Sequence, residues 1–539
     1  MDTEQIDKSL EPVILVADNA KLPRFVWSNS SNGYRWLIVA GLLVLGFIIY
    51  TANISINPPA FYLDESGLAY NAYLVSKTGA GEFGPRFPLY FQLYTGNYTQ
   101  YSNPTQIYLL ALVFKLFGPG ILISRLLAAA SVYAACWLFG LLAARVSGRR
   151  VIGVIVGLTA LLTPWLFEVG RLVLETFFYP MALVLFLWAV WRAHKKSRWA
   201  WRDCLLLALT LALLTYTYTI GRLLAPLLAL GLISFIISWQ RLFGVIKTWC
   251  LFAVTCLPIL VFRWRNPGLT TRFYLISYIK PQSTWGEILS AFAHRYLEDI
   301  GPYLLLVKGD ANQRHHLPDA LGSFYFAIFI LALIGIFIVL AKYRRDAWWR
   351  FILYGLVVSV VPGALTVDVF HTLRMVTYPM FLLLLTVPAL EWLLGVTQPA
   401  EEAAAIETNS ADFWPLARRG LLAILLLTAL GEAAYFHRQY QLLGDRRGYI
   451  FDAAYKQAYD QAVAQPKRPI YLVDNYWGPA YMHSFWYATL EGRSTDEFVH
   501  QEYGVRPPPG SIVISTEQTC ADCEMINHNG DYLLYLTTK

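Results

Sequence analysis

The feature that most constrains this chain is a series of long apolar runs that recur from Trp36 to Tyr435. A helix needs about 20 consecutive apolar residues to cross a bilayer. Apolar residues make up 56% of the 539 residues, whereas charged residues make up only 15%. The chain is therefore predicted to be a polytopic α-helical membrane protein.

The apolar runs also predict how the chain is oriented. A window of about 19 residues gives about eleven spans. They lie near residues 36–56, 119–144, 150–163, 172–192, 203–219, 223–240, 247–263, 321–341, 350–366, 374–396 and 419–436. Alternate connections are rich in lysine and arginine, and such connections stay in the cytoplasm. The net charge of +7 thus indicates orientation rather than nucleic-acid binding.

Three regions follow from this topology. Residues 1–35 form a cytoplasmic tail, residues 36–436 a membrane domain in the cytoplasmic (inner) membrane, and residues 437–539 a small exported α/β domain. In the last region, segments beginning at Ile470, Ser511 and Tyr532 have strand-like composition, and Asp452 to Gln465 has a helical pattern. Cys520 and Cys523 are predicted to form a small disulfide there, with a redox or zinc role as the less favoured alternative.

The first exported loop, residues 57–118, contains two helix-like stretches that are too short to span a membrane. Apolar residues share one face around Leu68 to Val75 and again around Ile107 to Phe114. Both stretches are predicted to lie along the membrane surface. The loop opens with the acidic pair Asp64-Glu65, directly after the first span.

This acidic pair is the first candidate catalytic site. Carboxylates beside hydrocarbon are costly, so they usually have a task. Asp64 in this position fits a general base that acts on a substrate at the membrane surface. The alternative is that Asp64 caps a helix starting at Glu65, and that Glu65 is a first-turn acid favoured by the helix dipole.

Arginines on the outer side need an explanation other than orientation. Arg374, Arg171, Arg222 and Arg314 fit the binding of a phosphate anchored in the membrane by a lipid, because a guanidinium group grips phosphate with two hydrogen bonds. Structural alternatives stay open for three of them: Arg171 with Glu175 on one helix, Arg222 as an interfacial residue, and Arg374 with Asp368.

Further ionisable residues collect on the same side, namely Glu82, Glu175, Asp310, His315 and His371. Asp310 with His315 and His316 also offers ligands for a divalent metal, although a lone cluster of this kind is weak evidence. The sequence therefore leaves metal dependence open.

Most of these candidate residues lie within a series of short motifs along the chain. These motifs are Leu63-Asp-Glu65, Tyr101-Ser-Asn-Pro104, Phe117-Gly-Pro, Ser124-Arg-Leu, Pro164-Trp with Arg171 and Glu175, Tyr216-Thr-Tyr-Thr with Arg222, Gly309-Asp-Ala-Asn-Gln-Arg-His315 and Leu365-Thr-Val-Asp-Val-Phe-His-Thr-Leu-Arg374. In their order and topology the chain resembles GT-C glycosyltransferases related to protein O-mannosyltransferases and the aminoarabinose transferases of lipid A. The chain departs from that pattern at Gly81, where many relatives carry an acid and only Glu82 remains.

The resemblance implies a GT-C fold and a polyprenyl-phosphate-linked sugar donor. It implies inverting transfer to a protein, lipid or glycan acceptor outside the membrane, with Asp64 as base. Asn103 and Tyr218 become site candidates because they stand in the matching motifs. A related lipid-linked-glycan ligase or polymerase is the nearer alternative. A membrane transporter is the more distant one, since its polar residues would lie near the bilayer midplane.

Overall fold

The computed structural model describes residues 33–93, 101–317, 321–395, 413–474, 479–502, 504–517 and 522–538. Most of the predicted cytoplasmic tail, and Cys520 of the predicted disulfide, lie outside these residues. The chain forms two compact units, residues 1–50 and 51–539. Helix α1 (Gly33–Tyr50) is the described element of the first unit.

The second unit is built mainly of helices. These are α2 (Leu63–Thr78), α3 (Pro104–Phe117), α4 (Ile121–Ser147), α5 (Arg150–Leu162), α6 (Pro164–Val169), α7 (Tyr179–His194), α8 (Trp201–Thr217), α9 (Gly221–Gly231), α10 (Trp239–Arg265), α11 (Thr271–Ile276), α12 (Trp285–Asp299), α13 (Phe326–Lys342), α14 (Ala347–Val358), α15 (Val361–Ala364), α16 (Tyr378–Leu393), α17 (Phe413–Leu443), α18 (Ala453–Ala464) and α19 (Tyr481–Glu491). The strands are β1 (Phe91–Gln92), β2 (Tyr101–Ser102), β3 (Ile470–Val473), β4 (Phe498–Gln501), β5 (Ile512–Ser515), β6 (Glu524–Asn529) and β7 (Tyr532–Leu536).

Each predicted span overlaps a helix. In the described part of the chain, four helical stretches are long and apolar enough to cross a membrane: Ile121–Ser147, Trp239–Arg265, Ala347–Ala364 and Trp414–Arg447. Several other apolar helices, such as Phe326–Lys342 and Tyr378–Leu393, are shorter. The membrane character of the chain agrees with these helices, and the count of eleven spans stays a prediction.

Two helices do occur in the first loop, as predicted: α2 and α3, which pack against each other. Helix α2 ends at Gly79, whose left-handed φ of 77° suits glycine and whose N–H donates to the Val75 carbonyl at 2.9 Å. Their location at the membrane surface stays a prediction.

The C-terminal strands form one mixed sheet in the order β4-β3-β5-β7-β6. Strand β3 runs parallel to β4 and β5, whereas β7 is antiparallel to β5 and β6. The predicted strands and the helix after Asp452 are confirmed. Strands β4 and β6 and helix α19 were not predicted.

The core of this C-terminal region is continuous with that of the first loop. One cluster of buried side chains includes Phe61 and Phe114 of the loop and Tyr455, Trp486 and Leu534 of the C-terminal region. The predicted boundary at residue 437 also falls inside α17. Residues 437–539 therefore share one cluster with the first loop, while a smaller cluster of Val473, Val513 and Tyr535 lies within the C-terminal sheet itself.

Candidate active site

One cavity collects most of the residues that the sequence singled out. Its volume is about 190 Å³, and its wall comes from α2, from the segment between α6 and α7, from the turn before α9, and from the loops before α13 and α16. Its polar lining consists of Asp64, Ser102, Glu175, Thr176, Tyr218, Thr219, Arg314, His315, Thr366, His371 and Arg374. Two carboxylates, two arginines and two histidines thus face a single space.

Asp64 reaches this cavity because of the way α2 begins. The helix starts at Leu63, and Tyr62 is its extended N-cap residue, so Asp64 lies in the first turn, where the helix dipole favours a negative charge. Asp64 is therefore not the cap of a helix starting at Glu65, so the capping alternative is wrong. The Asp64 side chain is 31% exposed, and its Oδ2 lies 4.0 Å from Nη1 of Arg314.

Glu65, the next residue, points the other way and is fully buried. Its carboxylate accepts hydrogen bonds from the N–H of Tyr62 at 2.9 Å and of Val173 at 2.8 Å. Burial raises the pKa of Glu65, while the nearby Arg125 opposes that rise. Since Glu65 does not line the cavity, it does not fit a catalytic role; it ties the start of α2 to the segment after α6.

Arg125 on α4 completes this support, and sequence analysis gave it no role. The guanidinium is fully buried, lies 3.6 Å from Glu65, and donates to the carbonyls of Ile54, Pro58 and Ala60. These bonds fix the chain that leads into α2. The available signal was an arginine inside an apolar run, which is costly without a buried partner.

Two arginines supply positive charge to the cavity. The Arg374 side chain is 10% exposed, and its Nη1 lies 2.6 Å from Oδ2 of Asp368. The Arg314 side chain is 17% exposed and its guanidinium lies 4.1 Å from the centre of the Tyr62 ring. The Arg374–Asp368 pair, which was the predicted structural alternative, is thus observed. Arg374 also borders the cavity.

A hydrogen-bonded histidine network adjoins these arginines. His315 Nδ1 lies 3.1 Å from Asp310 Oδ2, and His315 Nε2 accepts a hydrogen bond from Arg314 Nε at 3.1 Å. This arrangement fits a neutral imidazole protonated on Nδ1. Burial, opposed by Asp310, lowers the pKa of His315, and burial holds the pKa of His371 well below its ordinary value.

Asp310, His315 and His371 have ligand atoms within 4.8 Å of one another, which is a spacing that a metal ion would need. The Asp310 carboxylate, however, already accepts from the N–H of Asn312 at 2.8 Å and from the N–H and hydroxyl of Thr372 at 2.8 and 2.7 Å. Arg314 and Arg374 add positive charge beside the cluster. These residues therefore do not fit a resident divalent metal, and they hold the loop before α16 in place.

His316, another candidate metal ligand, is engaged elsewhere. Its Nδ1 lies 2.7 Å from Glu168 Oε2 and its Nε2 lies 2.6 Å from the Leu321 carbonyl oxygen. Two acceptors require both ring nitrogens to carry a proton. Burial acts against this charge, but Glu168 and the carbonyl raise the pKa of His316 above its ordinary value. The pair of His316 and Glu168 therefore holds the loop that carries Arg314 in place.

Glu175 organises another part of the cavity wall. Its carboxylate accepts hydrogen bonds from the Ser102 hydroxyl, and from the backbone N–H and side-chain amide of Asn103 at 2.8 and 2.9 Å. Asn103 also donates to the Thr219 hydroxyl at 3.0 Å and accepts from Arg222 at 3.1 Å. Arg222 itself does not line the cavity; it supports Asn103 from behind.

The structure separates two other candidates from the cavity. Arg171 is nearly fully buried and donates to the carbonyls of Ala52 at 2.9 Å and Asn57 at 3.3 Å. Glu82 accepts from the hydroxyl of Tyr481 at 3.0 Å, and burial raises its pKa to about 8. Both therefore hold segments together rather than face a substrate.

The prediction that Arg171 and Glu175 face each other on one helix is also wrong. Both lie between α6, which ends at Val169, and α7, which begins at Tyr179. Without a helix, their spacing of four residues does not bring them together.

The chain is similar in fold to proteins of known structure, although no family model and no curated protein matches it. ArnT from Cupriavidus metallidurans in the apo state superposes with a TM-score of 0.56 at 14% identity, covering 94% of this chain and 98% of that chain. ArnT bound to undecaprenyl phosphate gives a TM-score of 0.54 at 13% identity, with the same coverage. The chain therefore shares the fold of ArnT, in agreement with the fold predicted from the sequence motifs.

Proposed function

We propose that this protein is a membrane glycosyltransferase that moves a sugar from a polyprenyl-phosphate carrier to an acceptor hydroxyl at the outer face of the cytoplasmic membrane. The observation that carries this proposal is the convergence of Asp64, Arg314 and Arg374 on one cavity of about 190 Å³. A carboxylate that can take a proton and two guanidinium groups that can hold a phosphate are what such a transfer needs. ArnT, which shares the fold, has been solved with undecaprenyl phosphate.

The reaction follows from these roles. Asp64 takes the proton of the acceptor hydroxyl while the oxygen attacks the anomeric carbon of the donor sugar. The bond from that carbon to the phosphate oxygen breaks, and the polyprenyl phosphate leaves with the electron pair. Arg374 and Arg314 stabilise the charge that develops on the phosphate. Attack on the face opposite the leaving phosphate inverts the anomeric carbon, and one base suffices because the phosphate needs no proton to leave.

The remaining polar wall would bind the sugar. Tyr218 borders the cavity beside Thr219, and Glu175 faces it while accepting hydrogen bonds from Ser102 and Asn103. His371 Nδ1 is buried and has no hydrogen-bond partner in the described part of the chain. Hydroxyl, carboxylate and imidazole groups suit the hydroxyls of a sugar, whether hexose or pentose.

The test begins with the wild-type protein in lipid nanodiscs and a panel of polyprenyl-phosphate sugars, with glycan mass spectrometry of a deletion strain to identify the product. Asp64→Asn should then reduce the transfer rate about 10²–10⁴-fold, because it removes the base. Binding of polyprenyl phosphate should persist. Asp460→Asn, an exposed acid on α18 with 52% side-chain exposure, is the matched control and should transfer at the wild-type rate. An Asp64→Asn protein as active as the wild type would exclude Asp64 as the base.

A further inference from the structure

A chain of hydrogen-bonding side chains links α2 to the C-terminal region. Ser66, two residues after Asp64, has its Oγ 2.9 Å from Nδ1 of His483 on α19. His483 Nε2 lies 3.2 Å from Oδ2 of Asp452, whose other oxygen accepts from the Tyr532 hydroxyl at 2.8 Å. Ser66 and His483 are both fully buried. The link therefore joins the catalytic helix to a residue more than 400 positions later in the chain.

The order serine, histidine, aspartate is also that of a nucleophilic triad, in which histidine activates the serine. A nucleophile must meet its substrate. Ser66 has no exposed surface and does not line the cavity that Asp64 borders. The arrangement thus fits a structural connection and not a hydrolytic site.

Apolar contacts reinforce the same connection. The Trp486 ring of α19 stacks on Phe61, just before α2, with ring centres 5.9 Å apart and planes 10° apart. It stacks on Phe114 of α3 at 5.9 Å and 19°. Phe485 contacts Tyr70 of α2 at 5.5 Å. Helix α19 therefore packs against both α2 and α3, and it contacts α2 on the side away from the cavity.

We infer that α19 positions Asp64 for transfer and that His483, through Ser66, is the positioning residue. This inference rests on the proposed function. Ser66 and Asp64 share the first two turns of α2, so a bond that fixes Ser66 also fixes the rotation of the helix about its axis. A misplacement of about 1 Å in a reacting group can cost about 10²-fold in rate. The exported region would thus serve catalysis directly.

Paired substitutions at His483 separate positioning from stability. In His483→Asn the amide occupies the place of Nδ1 and keeps the bond to Ser66, whereas in His483→Gln it occupies the place of Nε2 and keeps the bond to Asp452. Both variants should melt at similar temperatures. We expect kcat to fall about 10-fold or more in His483→Gln and in Ser66→Ala, with an unchanged KM for the lipid donor, and to stay within about threefold of wild type in His483→Asn.

Ser484→Ala is the matched control. Ser484 neighbours His483 on α19 and is equally buried, but its hydroxyl lies 2.7 Å from that of Tyr455 within the C-terminal region. It should lower the melting temperature without lowering kcat. The double variant Ser66→Ala/His483→Gln should lose no more activity than either single variant, since both remove the same bond. Equal kcat in His483→Gln and His483→Asn, or wild-type kcat in Ser66→Ala, overturns the inference.

Hydrogen–deuterium exchange of the substrate-free protein gives a second readout that needs no activity. Amides at the start of α2 should exchange faster in Ser66→Ala and His483→Gln than in His483→Asn and Ser484→Ala. Equal exchange in all four variants counts against positioning. A wild-type protein that transfers no polyprenyl-phosphate sugar defeats the proposed function and, with it, a role of α19 in transfer. The exchange pattern then still shows whether the bond between His483 and Ser66 fixes the start of α2.

Discussion

Arg374 has one observed partner, the solvent-exposed carboxylate of Asp368, and one proposed partner, the phosphate of the lipid donor. Its side chain is 10% exposed, whereas Asp368, which pairs with it at 2.6 Å, is 51% exposed. An ion pair with a solvated partner contributes only about 0–1 kcal/mol. A lipid phosphate in the cavity would therefore displace Asp368 at small cost and gain a bidentate contact.

Arg374→Ala should weaken the binding of polyprenyl phosphate by about 1.5–3 kcal/mol, the range for a hydrogen bond to a charged group. Arg374→Lys should recover only part of this loss, because an ammonium group lacks the planar fork. Titration of nanodisc-embedded protein with the lipid measures both. Thermal stability without lipid should barely change.

Two controls accompany that measurement. Asp368→Asn removes the exposed partner and should leave phosphate binding as tight or tighter. Arg468→Ala, which removes a salt bridge with Glu497 in the C-terminal region, should leave phosphate binding unchanged. If Arg374→Ala melts early and still binds the lipid normally, Arg374 is structural and Arg314 becomes the phosphate ligand to test.

Charge counting along the sequence predicts which residues lie on one side of the membrane, but not which way each side chain points. Asp64 and Glu65 are neighbours in a helix, so their side chains diverge by about 100° around its axis. One therefore reaches the cavity and the other the core. The same limit applies to Arg171 and Glu82, whose side chains turn toward backbone carbonyls and Tyr481.

At the scale of elements, apolar runs predicted the helices well and their ends less well. The predicted span 172–192 includes a non-helical stretch before α7 begins at Tyr179. Pro180 in the first turn of α7 was the available signal, because proline starts helices and does not continue them. Helix α19 escaped prediction because its sequence, rich in aromatic residues, has no polar face: it is buried between the sheet and the loop helices.

Helices α4 and α5 show how small residues allow close packing. A Cβ on Gly153 would lie 2.5 Å from the Gly140 carbonyl oxygen. The same holds where α13 crosses α16, since a Cβ on Gly335 would lie 1.6 Å from the Leu385 carbonyl oxygen. Such glycines let two backbones approach more closely than larger residues permit.

Gly335→Ala should therefore destabilise the protein by about 1–3 kcal/mol, since the two helices must move apart. Gly431→Ala on α17 is the control: a Cβ there meets no heavy atom of the described residues within 4 Å beyond its own helix. It should be neutral or stabilising by about 0.5–1 kcal/mol through helix propensity. Thermal melting in mild detergent compares them, and equal melting temperatures would show that the crossing tolerates a methyl group.

At the scale of the whole molecule, the C-terminal region is bound to the loops by polar contacts as well as by the shared core. Asn57 donates to the Tyr440 carbonyl at 2.7 Å and accepts from Arg447 at 3.2 Å. The Tyr449 hydroxyl donates to Gln313 at 2.6 Å, in the loop that also carries Arg314. A sequence shows where strands and spans lie, but not that two distant segments complete one core, so a separate exported domain was the natural expectation.

The shared core changes what truncation should do. An independent domain could be removed without harm, but a chain that ends at residue 437 would expose Phe61 and Phe114, which pack on Trp486, and would leave Ser66 without His483. Each large apolar side chain returned to water costs about 1.5–3 kcal/mol. We therefore expect such a chain to aggregate in mild detergent.

A second chain that ends at residue 443 is the control, because it keeps all of α17. It should aggregate as well, which would show that aggregation results from the lost core and not from the cut helix. Size-exclusion chromatography and thermal melting distinguish the outcomes. A monodisperse product with the melting temperature of the full chain would show that the membrane region folds without residues 444–539, and would count against the inference that α19 positions α2.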